Sequence, residues 1–171
     1  MNRGYSREWY LDRIEAIKRI LPNATISTDI ITGFCGETEE QHQETISLIK
    51  EVEFSYAYMY TYSERPKTLA ERKYEDDVPE KMKLKRLDEI IQIQRANSAK
   101  LMADCVGKTY SVLAEKLSKK SSDDLSGRNS QNSMVIFPKE NYEIGQYVDV
   151  EILKSTSGTL IGKAVGLSKT V

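Results

Sequence analysis

Thiols, imidazoles and paired carboxylates are the side chains that most often carry catalysis or hold metals, and this sequence is sparing with them. Its 171 residues contain only Cys35 and Cys105 as cysteines and only His42 as a histidine. Two thiols cannot complete a three- or four-cysteine metal or iron–sulfur set, and they do not suggest a disulfide-stapled secreted scaffold, so a reduced, cytosolic setting is expected. His42 sits inside a polar helical turn and reads as a solvent-exposed helix residue. Glu37, Glu39, Glu40 and Glu44 form an acidic helix start that complements the helix dipole rather than an acid–base pair. Three other patterns could do chemistry. In Asp29-Ile30-Ile31-Thr32-Gly33-Phe34-Cys35-Gly36-Glu37, Gly33 and Gly36 are either turn residues or the place where backbone closely approaches a ligand. In Tyr62-Ser63-Glu64-Arg65-Pro66-Lys67-Thr68-Leu69-Ala70, the Arg65 guanidinium is suited to gripping a carboxylate or phosphate, or else pairs with Glu64 or Glu71 on a solvated loop. Towards the C-terminus, Lys108, Lys116, Lys119, Lys120, Arg128 and Lys154 could track phosphates, interleaved with Tyr110, Phe137, Tyr142 and Tyr147 as stacking surface or core. Phe137 and Tyr147, at strand spacing, weigh towards core.

The elements that must position these residues change character along the chain. Ser6 caps a helix carrying Trp9, Tyr10, Ile14, Ile17, Ile20 and Leu21 that Pro22-Asn23 stops. A strand follows over Thr25 to Ile31, then a helix through Ile46, Ile49 and Val52, then a strand over Phe54 to Tyr62. Asp77-Val78-Pro79-Glu80 spells a capping box that opens a helix of about six turns, on which Leu84, Leu87, Ile91 and Leu101 share a face. Strands separated by helices call for crossover connections, hence a parallel α/β layer whose ligands lie at the strand C-terminal ends. Two strands are too few for a sheet of their own, so the first half reads as a piece of a larger barrel and the chain as the C-terminal part of a longer protein. The competing reading is a complete small α/β domain. From about Val106 the pattern turns to short strands, Tyr110 to Leu117, Ser133 to Phe137, Tyr147 to Leu153 and Thr159 to Val165. Turn signals at Ser118 to Gly127, Glu143 to Gly145 and Ser155 to Gly158 separate them, and the whole suggests a small closed barrel.

Composition fits this division. With 39% hydrophobic residues the chain can bury a core, and 25 Lys+Arg against 26 Asp+Glu leave a net charge of −1, so any nucleic-acid contact must be local. Residues 107–171 hold nine Lys+Arg against seven Asp+Glu, a slight basic excess. No leader-like segment opens the sequence, and no apolar run approaches the roughly 18 residues that span a bilayer, so a cytoplasmic protein without a membrane partner is expected.

The runs MNRGYSREWYLDRIEAIKRILPNATISTDIITGFCGETEEQ, YTYSERPKTLA and VGKTYSVLAEKLSKKSSDDLSGRNSQNSMVIF, in that order, resemble the radical S-adenosylmethionine (SAM) methylthiotransferases, in particular their tRNA-modifying branch. The resemblance implies an α/β fold: the C-terminal part of a radical-SAM partial barrel over residues 1–104, followed by a small antiparallel β-barrel, the OB-like TRAM module, over residues 105–171. It implies that Asp29, Ile31 and Gly33 line SAM on the fifth strand, that Arg65 belongs to the same pocket, and that Arg3, in a loop after the fourth strand, makes a polar contact near SAM. Cys35 stands where the family commonly has proline and Lys67 where it has glycine, so Cys35 reads as a buried or half-buried free thiol. Ser126 to Asn132 resembles the TRAM signature, which implies Arg128 and Asn132 as RNA contacts, with Lys108, Lys116 and Lys119 beside them.

The activity implied is methylthiolation of an isopentenyl-type adenosine beside the anticodon, using SAM and two [4Fe-4S] clusters. The cluster cysteines would lie in an upstream portion of the same polypeptide, so this chain alone should be inactive and should hold tRNA by its anticodon stem-loop. Two alternatives are an enzyme of the same family that methylthiolates a ribosomal-protein aspartate, and an RNA-binding adaptor with no chemistry.

Overall fold

The computed structural model describes residues 4–169. The chain forms two compact units, Met1–Asn97 and Ser98–Val171. In the first, α1 (Arg7–Ile20) begins at Ser6, whose hydroxyl accepts a hydrogen bond from the Trp9 amide, so the expected cap is in place. The strands β1 (Ser27–Thr32) and β2 (Tyr56–Thr61) pair in parallel, with Thr32 opposite Thr61 at their C-terminal ends. Between them runs α2 (Glu39–Val52), started by a reciprocal Thr38–Gln41 capping box. Glu37 therefore lies before this helix and not in its first turn. After the short α3 (Leu69–Lys73) comes α4 (Glu80–Ala103).

The two strands bury one face only. Ile30 and Ala57 point into a core shared with Ile14, Ile49, Val52, Phe54 and Ile90, as period-two alternation requires. The opposite face carries Ser27, Asp29 and Ile31 on β1 and Tyr56, Tyr58 and Tyr60 on β2, all exposed and paired row by row.

Three expectations need correction here. His42 is fully buried and its Nε2 lies 2.9 Å from Glu89 Oε2, because α2 turns that face onto α4. The inward face of α4 is Lys83, Arg86, Ile90 and Gln94, while Leu84 is exposed. Acceptors at the ends of neighbouring elements, not apolar matching, select that face: Gln94 Nε2 donates to the Phe54 carbonyl at 2.6 Å and Asn97 Nδ2 to the Ile49 carbonyl at 3.1 Å. Asp77 does not cap α4, because its carboxylate accepts the Gly36 amide at 2.6 Å.

The second unit is a closed five-stranded barrel in the order β3-β4-β5-β7-β6. Its strands are β3 (Thr109–Leu117), β4 (Asp124–Asn129), β5 (Met134–Pro138), β6 (Tyr147–Ser155) and β7 (Leu160–Leu167). The core is aliphatic around Phe137, which is fully buried, as strand spacing suggested. The expected barrel was wholly antiparallel, but β5 and β7 pair in parallel. An odd number of strands cannot close with every neighbour antiparallel, so one seam must break the rule. β4 occupies residues read from the sequence as turn and signature loop, since Gly, Ser and Asn are poor strand formers. What admits it is Gly127, where a Cβ would collide with the Leu113 carbonyl oxygen on β3.

Gly127→Ala is accordingly expected to destabilise the barrel by about 1–3 kcal/mol, whereas Gly158→Ala, where a Cβ meets nothing within 4 Å, should be near neutral. Urea unfolding of both variants, followed by far-ultraviolet circular dichroism, checks the difference.

Candidate functional site

Two surfaces gather the residues singled out from the sequence, one in each unit. The first is the rim at the C-terminal ends of β1 and β2. The Tyr62 amide donates to the Thr32 carbonyl at 2.8 Å, which extends the parallel pairing one step and brings the loops after both strands to the same edge. Asp29 and Ile31 project from the open face, and Gly33 follows directly, buried, with φ at +74°. A Cβ at Gly33 would strike the aliphatic stem of Lys83, so glycine is required on packing as well as on backbone grounds. Arg65 lies exposed in the second loop, which Thr68 stabilises by donating from its hydroxyl to the Arg65 carbonyl at 2.8 Å. Neither Glu64 nor Glu71 forms an ion pair with Arg65 among the described contacts, and Glu71 instead accepts the Lys67 amide at 2.9 Å. Cys35 is free and half-buried. Arg3 lies outside the described residues.

The rim is held from beneath. Glu37 Oε2 accepts the Gly33 amide at 2.8 Å and the Thr32 hydroxyl at 3.3 Å. Arg86 Nη1 donates to the same oxygen at 2.9 Å and to the Glu37 carbonyl at 2.9 Å. Lys83 Nζ is 2.6 Å from Asp76 Oδ2, reaches the Tyr62 carbonyl at 3.4 Å and lies 5.4 Å from the centre of the Tyr62 ring. Sequence reading missed Lys83 and Arg86 and gave Glu37 only a dipole role. The available signal was the spacing Lys83, Arg86, Ile90, Gln94, a complete helical face with two cations on it.

The residues present suit a nucleoside with an amino-acid tail. Ile31 offers an apolar surface, the Asp29 carboxylate an acceptor for hydroxyl or amine, and Arg65 a fork for a carboxylate. No group of three His, Cys, Asp or Glu side chains that could hold a metal occurs among the described residues.

The second surface is the outer wall of the barrel. The register sets Met134, Arg128, Leu113 and Tyr147 in one row across β5, β4, β3 and β6. Arg128 and Tyr147 are exposed in this row on either side of Leu113, so Tyr147 belongs to the surface and not to the core, contrary to its strand spacing. Arg128 Nη1 donates to the Asn132 carbonyl at 2.8 Å and to its Oδ1 at 3.0 Å. Asn132, in the β4–β5 turn, has φ at +60°. These two expected contacts come together, and each holds the other. Lys108 precedes β3, while Lys116 and Lys119 lie towards its far end, eight or more residues away, about 26 Å along an extended strand. The three lysines therefore do not form one patch. Tyr110 is partly buried against the barrel core, and burial pushes its phenol up to about 12, the adjacent Cys105 thiol adding to the rise.

Comparison with known proteins gives a consistent result. Residues 103–165 match the TRAM domain. Over 98% of its length the chain is 55% identical to the tRNA-2-methylthio-N(6)-dimethylallyladenosine synthase of Flavobacterium johnsoniae. It is 53% identical over 99% to that of Flavobacterium psychrophilum, and 50% identical over 96% to that of Bacteroides thetaiotaomicron. The chain spans about a third of the length of these relatives, 35%, 35% and 36% respectively.

Lys67, at φ +67°, holds the left-handed conformation that glycine adopts without cost. Lys67→Gly should leave the first unit as stable as before or raise its stability by up to about 1 kcal/mol, and the β-branched Lys67→Val should cost about 1–2 kcal/mol. Urea unfolding followed by Trp9 fluorescence, the only tryptophan in the chain, reads both.

Proposed function

We propose that this chain, similar over nearly all its length to tRNA-2-methylthio-N(6)-dimethylallyladenosine synthases and carrying a TRAM domain, supplies part of the SAM pocket and the tRNA grip of an enzyme that methylthiolates an isopentenyl-type adenosine beside the anticodon. In this reading residues 1–104 are the C-terminal portion of a radical-SAM domain and residues 105–171 the RNA-binding barrel. The observation that carries it is the open β1–β2 face, which ends in two loops at one edge: Asp29, Ile31 and Gly33 on one side and Arg65 on the other. A parallel pair exposed on the face away from its helices, with polar and apolar groups gathered at its C-terminal end, is where α/β folds receive ligands.

Asp29 and Arg65 would fix the polar ends of SAM, and Ile31 with the Gly33 backbone would pack along its adenosine. Bound there, SAM supplies the radical chemistry of hydrogen abstraction from the base. The two [4Fe-4S] clusters belong, in this reading, to an upstream portion of the same polypeptide, so the chain alone is inactive. No helix among the described residues is long and apolar enough to cross a membrane; the cytoplasmic setting of this reading follows from the tRNA substrate.

On the barrel, Arg128 and Tyr147 make the RNA contact, the guanidinium at a phosphate and the ring under an unstacked base, with Lys108, Lys116 and Lys119 adding charge along β3. Asn132 sets the turn that aims Arg128.

Fluorescence anisotropy of this chain with an anticodon stem-loop and with a scrambled hairpin, at two salt concentrations, tests the grip. Binding should prefer the stem-loop and weaken with salt. Arg128→Ala should reduce the salt slope by about 1, and Tyr147→Ala should cost about 1–3 kcal/mol with the slope unchanged. Absence of binding at low salt would overturn RNA recognition by the barrel and favour a protein substrate.

A further inference from the structure

The most heavily buried charges in the first unit lie beneath the rim and not on it. Lys83 and Arg86, three residues apart on the inward face of α4, have side chains only 4% and 6% exposed, and each reaches a different loop. Arg86 holds Glu37, whose carboxylate in turn fixes the Gly33 amide and the Thr32 hydroxyl at the end of β1. Lys83 holds Asp76 and the Tyr62 carbonyl at the end of β2, and its stem fills the space beside Gly33. One rigid helix thus clamps both loops that meet at the rim. Burying two cations is costly, and the apolar contact of α4 with the core comes from Ile90 with Ile93 packed beside it.

We propose that Lys83 and Arg86 are positioning residues that set the two rim loops in the geometry that receives the cofactor, with Glu37 as the link from Arg86 to the Gly33 backbone. The inference rests on reading the rim as the SAM-facing edge. It gives α4 a part in cofactor affinity without contact to the cofactor. It also couples the loops at Gly33, where the Lys83 stem packs and whose amide Arg86 reaches through Glu37.

The test uses the complete synthase polypeptide with Arg86→Met, Arg86→Lys, Lys83→Met and Glu37→Gln, in this chain's numbers. SAM affinity is measured by equilibrium dialysis, and affinity for the anticodon hairpin by anisotropy on the same preparations. Arg86→Met and Lys83→Met should each weaken SAM binding tenfold or more and leave hairpin affinity within twofold. Arg86→Lys restores one ionic contact to Glu37, and Glu37→Gln keeps an oxygen for the Gly33 amide, so both should fall between wild type and Arg86→Met. If Arg86→Met does not fold, these two conservative variants carry the test, with a threefold loss expected. Wild-type binding of SAM with all variants within twofold of it would overturn the positioning role and leave the rim reading intact. A wild-type protein that does not bind SAM would overturn the rim reading and the inference with it.

Discussion

A helix that turns Lys83 and Arg86 inward is stable only if each buried charge meets an opposite charge, and the rest of the first unit is built around that requirement. Asp76 and the Tyr62 carbonyl answer Lys83, Glu37 answers Arg86, and the Phe54 carbonyl answers Gln94. The Phe54 and Tyr62 carbonyls flank β2, Glu37 lies in the loop beyond β1 and Asp76 in the connection between α3 and α4, so satisfying α4 also fixes where those segments go. The Glu37–Arg86 pair is nearly dry, with side chains 12% and 6% exposed. Removing one partner from such a pair leaves an uncompensated charge and typically costs about 3–5 kcal/mol. An apolar helix face would have held α4 as firmly, but it could not have specified the loops.

The barrel solves a different problem. It must close so that no strand edge is left, and with five strands it does so at the expense of one parallel seam. Closure also needs β4 to approach β3 closely, which Gly127 permits. The outward rows are then free to vary, and the row from Met134 to Tyr147 sets a cation and an aromatic ring on one wall. Rim loops depend on buried ion pairs, whereas the barrel wall depends only on strand register.

Much of this was legible in the sequence where one local rule acts alone. The Ser6 cap, the two α/β strands and four barrel strands follow from capping, periodicity and turn chemistry. Where tertiary partners outweigh local pattern, sequence reading failed. The apolar stripe Leu84, Leu87, Ile91 and Leu101 pointed to the wrong face of α4, because acceptors distant in sequence choose the face. His42 looked exposed in its polar turn until Glu89 on another helix covered it. Asp77 looked like a cap until the Gly36 amide took its carboxylate. β4 is invisible to propensity, since a glycine that weakens a strand locally is what lets this one pair.

The claim that buried cations on α4 hold the rim is tested most directly by amide hydrogen exchange at Gly33, measured by nuclear magnetic resonance on this chain and on its Arg86→Met variant. Glu37 accepts that amide at 2.8 Å in a loop outside any helix or strand. The account predicts slow exchange at Gly33 in the wild-type chain, accelerated tenfold or more by the substitution, with the amides of Val148 and Val150 in the barrel unchanged. Exchange at the unprotected rate in the wild-type chain, or protection that survives loss of the guanidinium, would contradict it.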